Sequence, residues 1–411
     1  MKRRLGLALL GIACALSPAA GQELSQRGFA EATGVYYPAD AVNDHRNTVG
    51  DFLIREEAFA KWSGGLQLAG ALDVRANTYD QVQRSWHLDV RDRGTLRPAL
   101  SLRRLSATFR RGPVSVDAGK QFIRWGKTDI VTPTDRFAPR DFLNVVDSQF
   151  LAVTGARVAV QLGEDMVEAV WVPWLTPSRT PLLDQRWTVV PEWAAGLSLV
   201  DISGPPPEGA QAGLRWSHTG TGYELAISFF DGFKHLPNID VRPGFVPTDL
   251  GIVRRYPDLR SYGFDIAVPT RWFTLKTESS YATSSTAGTD EYVLYVVQLE
   301  RQSGEWLFVG GYAGEIVTAD RAGLAFAPDR GLTRAFVSRA SYTLDVNRSW
   351  AVEGAVRQNA HGAYVKGEYS QARGQHWRAT LSAALIAGRA DDFLGQYRRN
   401  SHLVVTLRYS F

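Results

Sequence analysis

Cysteine is almost absent from this chain of 411 residues, since Cys14 is the only one. It lies in an N-terminal segment that we predict to be cleaved off, so the mature protein forms no disulfide. Long apolar runs are absent too. No stretch reaches the roughly 18 consecutive apolar residues that a membrane-spanning helix needs. The chain therefore has neither a disulfide framework nor a helical membrane anchor.

Recognisable catalytic motifs are also lacking. The seven histidines are scattered along the chain, and neither G-x-S-x-G nor H-E-x-x-H occurs. A nucleophile with a positioned base therefore has no sequence signature. We predict no catalytic residue, no cofactor and no metal site, and a hydrolase remains a minor alternative.

The charge of the mature chain is close to zero. The formal net charge is +4, and three of these charges are Lys2, Arg3 and Arg4, which leaves +1 once they are removed. An apolar segment, Leu5 to Leu16, and a small-residue cleavage site ending at Gly21 follow the three basic residues. This pattern predicts a secretory signal peptide over 1–21. Near-neutral charge gives no support to nucleic-acid binding.

What the chain has instead is alternation. From Leu66 onward, apolar and polar residues alternate with a period of two, as Leu66, Leu68, Leu72 and Val74 show. Such a period places one set of side chains on each face of a strand. We count sixteen such strands, near 66–75, 99–110, 114–122, 152–162, 166–173, 210–218, 222–231, 260–268, 272–283, 291–301, 305–317, 333–344, 349–358, 362–370, 376–387 and 401–411.

Connection lengths alternate with the strands. Short turns, such as 111–113, 163–165, 219–221 and 302–304, follow every second strand, and long connections lie between them. Short periplasmic turns and longer outer loops are typical of outer-membrane barrels. We therefore predict an all-β protein, a transmembrane antiparallel up-and-down barrel over 64–411, with about sixteen strands and with 14 or 18 left open. Residues 22–63 are interpreted as a periplasmic lead-in or an early strand.

The last strand favours the outer membrane of a Gram-negative bacterium. Leu403, Val405, Leu407 and Tyr409 share a face with the C-terminal Phe411. This end resembles the signal that outer-membrane barrels present to their assembly machinery. We expect outer-membrane lipid and that machinery as partners, and a homotrimer is plausible by resemblance to general porins.

Strand parity predicts which charges face the lumen. Leu105 and Phe109 face lipid, which turns Arg104 and Arg110 inward. The same rule turns Asp117 and Arg157 inward, because Arg or Lys on the lipid face would cost roughly 2–4 kcal/mol at the bilayer midplane. We assign these four charged residues to the wall of the pore.

The long loop over 123–151 is the main candidate for function. It is rich in proline, aromatic residues and charges of both signs, and loops of this length are commonly functional. Paired charges on such a loop can select solutes by charge. The candidate constriction residues are Arg124, Lys127, Asp129, Asp135, Arg136, Arg140 and Asp141. A cap outside the barrel, held by Arg–Asp pairs, is the alternative position.

One stretch of the chain, 102–174, resembles a known family. Gly119-Lys120-Gln121, Trp125-Gly126-Lys127 and Pro139-Arg140-Asp141 are similar to motifs of porin-like outer-membrane barrels, including uncharacterised and alginate-export barrels. The resemblance implies a channel. We predict passive or substrate-preferring diffusion of small polar or charged solutes, with no enzyme activity. A loop-capped structural or adhesion barrel is the second hypothesis.

Overall fold

The structure, a computed structural model, describes residues 22–129, 131–190, 192–194, 196–244, 246, 248–321 and 323–411. The predicted signal peptide lies outside these residues. The main sheet contains nineteen strands, one of which is the two-residue Leu88–Asp89. The other eighteen form a closed antiparallel barrel, because the first strand pairs with the last. The fold class predicted from the sequence is confirmed.

The barrel strands follow one another in chain order around the wall. They are β1 (Gln22–Tyr36), β2 (Thr48–Trp62), β3 (Leu66–Asn77), β4 (Leu100–Arg111), β5 (Val114–Gln121), β6 (Val153–Leu162), β7 (Asp165–Val172), β8 (Gln211–Gly220), β9 (Tyr223–Phe233), β10 (Asp258–Pro269), β11 (Thr274–Thr283), β12 (Glu291–Ser303), β13 (Trp306–Ala319), β14 (Ala335–Asp345), β15 (Arg348–Arg357), β16 (Gly362–Arg373), β17 (Trp377–Gly388) and β18 (His402–Ser410).

The two strands beyond the sixteen that we counted are β1 and β2, in the segment interpreted as a lead-in or an early strand. Eighteen was one of the open counts. Their alternation is weak because the outer face of β1 carries small residues, including Ala32, which pairs with the exposed Leu407. An aromatic ring, Phe29, faces the lumen beneath Arg408 at 4.2 Å. The segment 192–202 contributes no barrel strand, and its short strand Ser198–Asp201 pairs with Asp249–Arg255 outside the barrel wall.

The short turns lie at one end of the barrel and the long connections at the other, where a single connection, 358–361, is also short. The short end includes 63–65, 112–113, 163–164 and 304–305, and the long end includes 78–99, 122–152, 173–210 and 234–257. Gly112, with φ 58°, and Gly163, with φ 67°, occupy turn positions that require a left-handed backbone. The predicted asymmetry is therefore present.

The outer face of the barrel is apolar and bears aromatic residues near both ends. Toward the turn end, the Trp306 ring lies 4.8 Å from Tyr342 and 5.1 Å from Trp350. Toward the loop end, Tyr312 lies 5.1 Å from Phe336. Two aromatic girdles around an apolar band are typical of a barrel that spans a membrane.

The remaining elements are short and lie in the long connections. Asn238–Pro243 and Asp249–Arg255 form a small sheet with Ser198–Asp201, and Arg140–Asp141 pairs with Gln149–Phe150. One α-helical turn, Pro328–Gly331, and two 3₁₀ turns, Glu192–Ala194 and Gly395–Asn400, are also present among the described residues. None of the helices in the described part of the chain is long and apolar enough to cross a membrane.

Candidate functional site

The loop over 122–152, which we call the constriction loop, connects β5 to β6 and lies inside the barrel. Its contacts identify its position. The loop bonds to Glu278 in the middle of β11 and to Gln298 in the middle of β12. Both strands are several positions around the wall from β5 and β6. The loop therefore crosses the lumen rather than covering the mouth.

Glu278 is the central attachment point of the constriction loop. Its side chain is fully buried. Its Oε2 accepts the backbone N–H groups of Lys127 at 3.0 Å and Thr128 at 3.1 Å, and the Thr128 hydroxyl at 2.9 Å. Its Oε1 accepts the N–H of Thr134 at 2.7 Å and the Thr134 hydroxyl at 2.8 Å. One carboxylate thus holds two separate parts of the loop, because five donors converge on it.

Ionic contacts hold the tip of the loop on either side of Glu278. Asp129 accepts Gln298 Nε2 at 2.6 Å and lies 3.4 Å from Lys276 Nζ. Lys127 Nζ lies 2.8 Å from Glu224 and 3.4 Å from Asp265. These pairs join the loop to strands β9–β12, so the loop is held against that part of the wall.

Apolar packing secures the first half of the loop. Trp125 and Phe137 are buried, with ring centroids 5.2 Å apart, and Phe137 lies 4.9 Å from Phe230 of β9. The indole Nε1 of Trp125 donates to Glu168 of β7. The same carboxylate pairs with Arg157 of β6. The aromatic cluster fills the space between the loop and strands β7–β9.

Asp135 shapes the loop from within. Its Oδ1 accepts the backbone N–H groups of Trp125 and Gly126, each at 2.7 Å. Its Oδ2 lies 3.0 Å from Arg124 Nε. The carboxylate therefore closes the loop on itself, so it has little capacity left for a solute.

Asp141 holds the base of the constriction loop. It is buried and accepts Arg97 Nε at 2.8 Å and Arg179 Nη1 at 3.3 Å, from two other long loops. Burial raises its pKa, but the Arg97 and Arg179 guanidiniums outweigh burial and hold the pKa of Asp141 well below its usual range. Asp141 is therefore ionised at neutral pH.

A cavity of about 850 Å³ lies between the constriction loop and the wall formed by β10–β17. We call it the passage. Charges of both signs line it. On the loop these are Asp129, Asp135, Arg136, Arg140 and Asp147, and elsewhere they are Lys234, Lys276, Glu300, Asp329, Arg339, Glu353 and Lys366.

Two arginines of the loop face the passage, and neither has a carboxylate within ion-pair distance among the described residues. Arg136 donates to the hydroxyls of Ser261 at 3.1 Å and Ser280 at 3.0 Å. Arg140 lies 4.0 Å from the centre of the Phe150 ring and 3.3 Å from the Ser148 hydroxyl. These partners are neutral, so they do not offset the positive charge of either guanidinium. Each guanidinium also keeps N–H groups that can donate to a solute.

The structure separates the eleven candidates from the sequence into three groups. Asp129, Asp135, Arg136 and Arg140 line the passage. Arg124, Lys127 and Asp141 hold the loop in place. Arg104, Asp117 and Arg157 bond to Ser106, Thr108 and Glu168 on the wall, and Arg110 lies near the turn end of β4. None of these last four lines the passage.

The same parity rule, applied to the later strands, turns Lys276, Arg339, Glu353 and Lys366 inward, and all four line the passage. Residues from other loops, such as Lys234 and Asp329, were missed. No local signal places a distant loop beside this one, because that depends on closure of the barrel.

Comparison with known proteins gives a result for the fold. No family model and no curated protein sequence matches the chain. Among solved structures, Pseudomonas aeruginosa OpdK with vanillate has a TM-score of 0.54 at 11% identity, covering 94% of this chain and 98% of OpdK. The BenF-like porin of Pseudomonas fluorescens Pf-5 has a TM-score of 0.56 at 9% identity, covering 95% of this chain and 98% of that porin. Pseudomonas aeruginosa OccK2 (OpdF) in complex with glucuronate has a TM-score of 0.53 at 9% identity, covering 95% of this chain and 98% of OccK2. This chain therefore has the fold of these barrels.

Proposed function

We propose that this protein is an outer-membrane porin of a Gram-negative bacterium, through which small polar or charged solutes diffuse. The observation that carries the proposal is the constriction loop held inside an eighteen-stranded barrel, which leaves the charged passage of about 850 Å³. A volume in this range suits a small molecule. Opposing charges across such a passage orient a solute as it moves.

We infer a preference for solutes that carry a carboxylate. Arg136 and Arg140 offer guanidinium donors that have only hydroxyl and ring partners. Guanidinium and carboxylate form strong charge-assisted hydrogen bonds. The carboxylates of the loop, Asp129 and Asp135, already accept several donors each. Two of the structures with this fold are described with vanillate and with glucuronate, both of which are carboxylates.

Single-channel recording in a planar bilayer tests the proposal. We expect open steps with a preference for anions in a salt gradient, and a weaker preference in the Arg136→Gln/Arg140→Gln double variant. Arg378→Gln is the matched control, because Arg378 bonds to Ser370 on the wall and does not line the passage. No conductance from correctly folded protein would contradict the channel, and equal selectivity in all three proteins would contradict the role of the two arginines.

Further features of this function are proposals as well. Phe411 at the end of the last strand is the proposed contact for the barrel assembly machinery, and a homotrimer is a proposed assembly. The similarity of the motifs around Trp125 to alginate-export barrels remains a prediction, since none of the three structures named above carries that description. A capped structural barrel is disfavoured by the passage beside the loop.

A further inference from the structure

A second, much smaller cavity lies on the opposite side of the constriction loop, against β3 and β4. We call it the arginine cleft. Its volume is about 30 Å³, which is room for a single water molecule or a monoatomic ion. Four arginines and three aspartates line it, namely Arg75, Arg97, Arg103, Arg179, Asp73, Asp92 and Asp141.

The charges at the loop end of the arginine cleft balance. Each of three carboxylates lies within 4.0 Å of a cation, and the network has equal numbers of each sign: Asp51, Asp92 and Asp141 with Arg97, Lys120 and Arg179. Asp141 lies 2.8 Å from Arg97 and 3.3 Å from Arg179. This network therefore needs no further charge from the wall of the barrel.

The charges at the wall end do not balance. Asp73 faces three guanidiniums, those of Arg55 at 2.7 Å, Arg103 at 3.9 Å and Arg75 at 4.0 Å. Two positive charges are therefore in excess around one carboxylate. Two other carboxylates act on these guanidiniums from farther away, Asp51 on Arg75 and Glu57 on Arg103. Each of the two lies closer to another arginine, Asp51 at 3.7 Å from Arg97 and Glu57 at 2.7 Å from Arg27.

The side chains with surplus charge are largely withdrawn from solvent. The exposed fraction of the side chain is 12% for Arg75 and 23% for Arg103. At this depth an uncompensated cation is costly, because bulk water no longer stabilises it fully. Arg75 Nη2 has an amide oxygen, that of Gln149, at 3.3 Å. A neutral acceptor offsets only part of the excess charge.

Buried donors without partners point to the same cleft. Arg179, which lines it, has a side-chain exposure of 4%, and its Nε has no hydrogen-bond partner among the described residues. Lys120 is not part of the lining but lies beside it, with Nζ 3.6 Å from Asp92, and that Nζ also lacks a hydrogen-bond partner in the described part of the chain. Buried donors in proteins are normally satisfied by protein, water or an ion.

We propose that the arginine cleft binds a chloride ion between Arg75 and Arg103. Chloride supplies one of the two negative charges that the guanidiniums around Asp73 lack, and a monoatomic anion fits the volume, which a carboxylate solute does not. The bound ion lies behind the constriction loop, outside the passage, so this site does not depend on the proposed transport function. It lowers the excess positive charge of the wall on which the base of the loop packs.

Crystals of the full protein grown with sodium bromide in place of chloride test the site. Bromide replaces chloride and is detected by its anomalous scattering. We expect a peak in the cleft in contact with Arg75 and Arg103, its loss in Arg103→Gln, and its retention in Arg378→Gln. Absence of bromide from the cleft of the wild-type protein would overturn the proposal and assign the cleft to water. An equal bromide peak in Arg103→Gln would overturn it as well.

A solution measurement distinguishes a site used at ordinary salt from binding at crystal concentration only. The measurement is the temperature at which the folded barrel unfolds, compared between chloride and gluconate at the same ionic strength. Gluconate is too large for the cleft. We expect a higher temperature in chloride for the wild type and Arg378→Gln, and no difference for Arg103→Gln. Equal temperatures for the wild type in both salts would overturn the proposal.

Discussion

Replacement of Glu278 by alanine should release the constriction loop from the wall of the barrel. The carboxylate accepts five hydrogen bonds, three of them from backbone N–H groups of Lys127, Thr128 and Thr134. Hydrogen bonds to charged groups contribute about 1.5–3 kcal/mol each, but they are not additive within one cluster. Alanine leaves these neutral donors buried without their acceptor, and an unsatisfied buried group costs about 1–3 kcal/mol, so we expect a total of about 3–5 kcal/mol.

That cost falls on the attachment of the loop rather than on the barrel. Every donor to Glu278 lies in the loop, whereas β11 keeps its backbone pairing with β10 and β12. A change of about 3–5 kcal/mol corresponds to roughly a hundredfold to a few thousandfold shift in the equilibrium between attached and detached loop. Glu278→Gln keeps one acceptor oxygen but places an amide N–H₂ group against N–H donors, so we expect an intermediate effect.

Single-channel recording and limited proteolysis measure this shift. We expect Glu278→Ala to show larger and noisier open steps, and faster cleavage within 122–152 than the wild type. Glu353→Gln is the matched control, since Glu353 lines the passage and pairs with Arg339 but holds no part of the loop. It removes the same charge from the lumen without detaching the loop. Quiet, wild-type steps from folded Glu278→Ala would refute the assignment of Glu278 as the attachment point.

Three further predictions concern stability. Phe137→Ala removes a ring that is 1% exposed, so we expect a loss of about 3–5 kcal/mol in local packing. Hydrogen exchange within 122–152 should become faster. Phe336→Ala, which removes an exposed ring, should leave exchange in that loop unchanged. The depressed pKa of Asp141 means that its ion pairs contribute fully to stability above the ordinary carboxyl pKa, and that this contribution is lost as pH falls from there through the depressed pKa. Acid should therefore lower the melting temperature less in Asp141→Asn, and parallel curves would contradict this. Gly119→Ala should reduce folding yield, because Gly119 has a φ of 114° and the added carbon would clash with the carbonyl oxygen of Leu105. Gly310→Ala, which meets nothing within 4 Å, should not.

Local alternation was sufficient to predict most of the barrel. The sixteen strands from Leu66 onward have strongly apolar outer faces, since water on one side and apolar surroundings on the other impose the period of two. It failed for β1, where outward positions such as Ala32 are small and Phe29 faces the lumen, and for β2, where the charged Glu56 lies in the outward series. The place of β1 in the wall depends on pairing with β18, which is more than 350 residues away in the chain.

Parity also assigned charges to the lumen, with one instructive exception. Plain alternation from the exposed Ala118 assigns Lys120 to the outer face, yet its side chain is buried 3.6 Å from Asp92. Gly119, between them, has a φ of 114° that interrupts the alternation. A glycine in the sequence permits such a break but does not require it.

The sequence by itself determined the fold class, the turn and loop ends of the barrel and the length and charge of the loop over 123–151, because each follows from periodicity or composition within a short window. Only the tertiary structure decided that this loop lies inside, that Glu278 holds it, and that Arg136 and Arg140 face the passage while Arg124 and Asp141 secure the loop. Those outcomes depend on contacts between strands and loops far apart in the chain. Such contacts exist only once the barrel has closed.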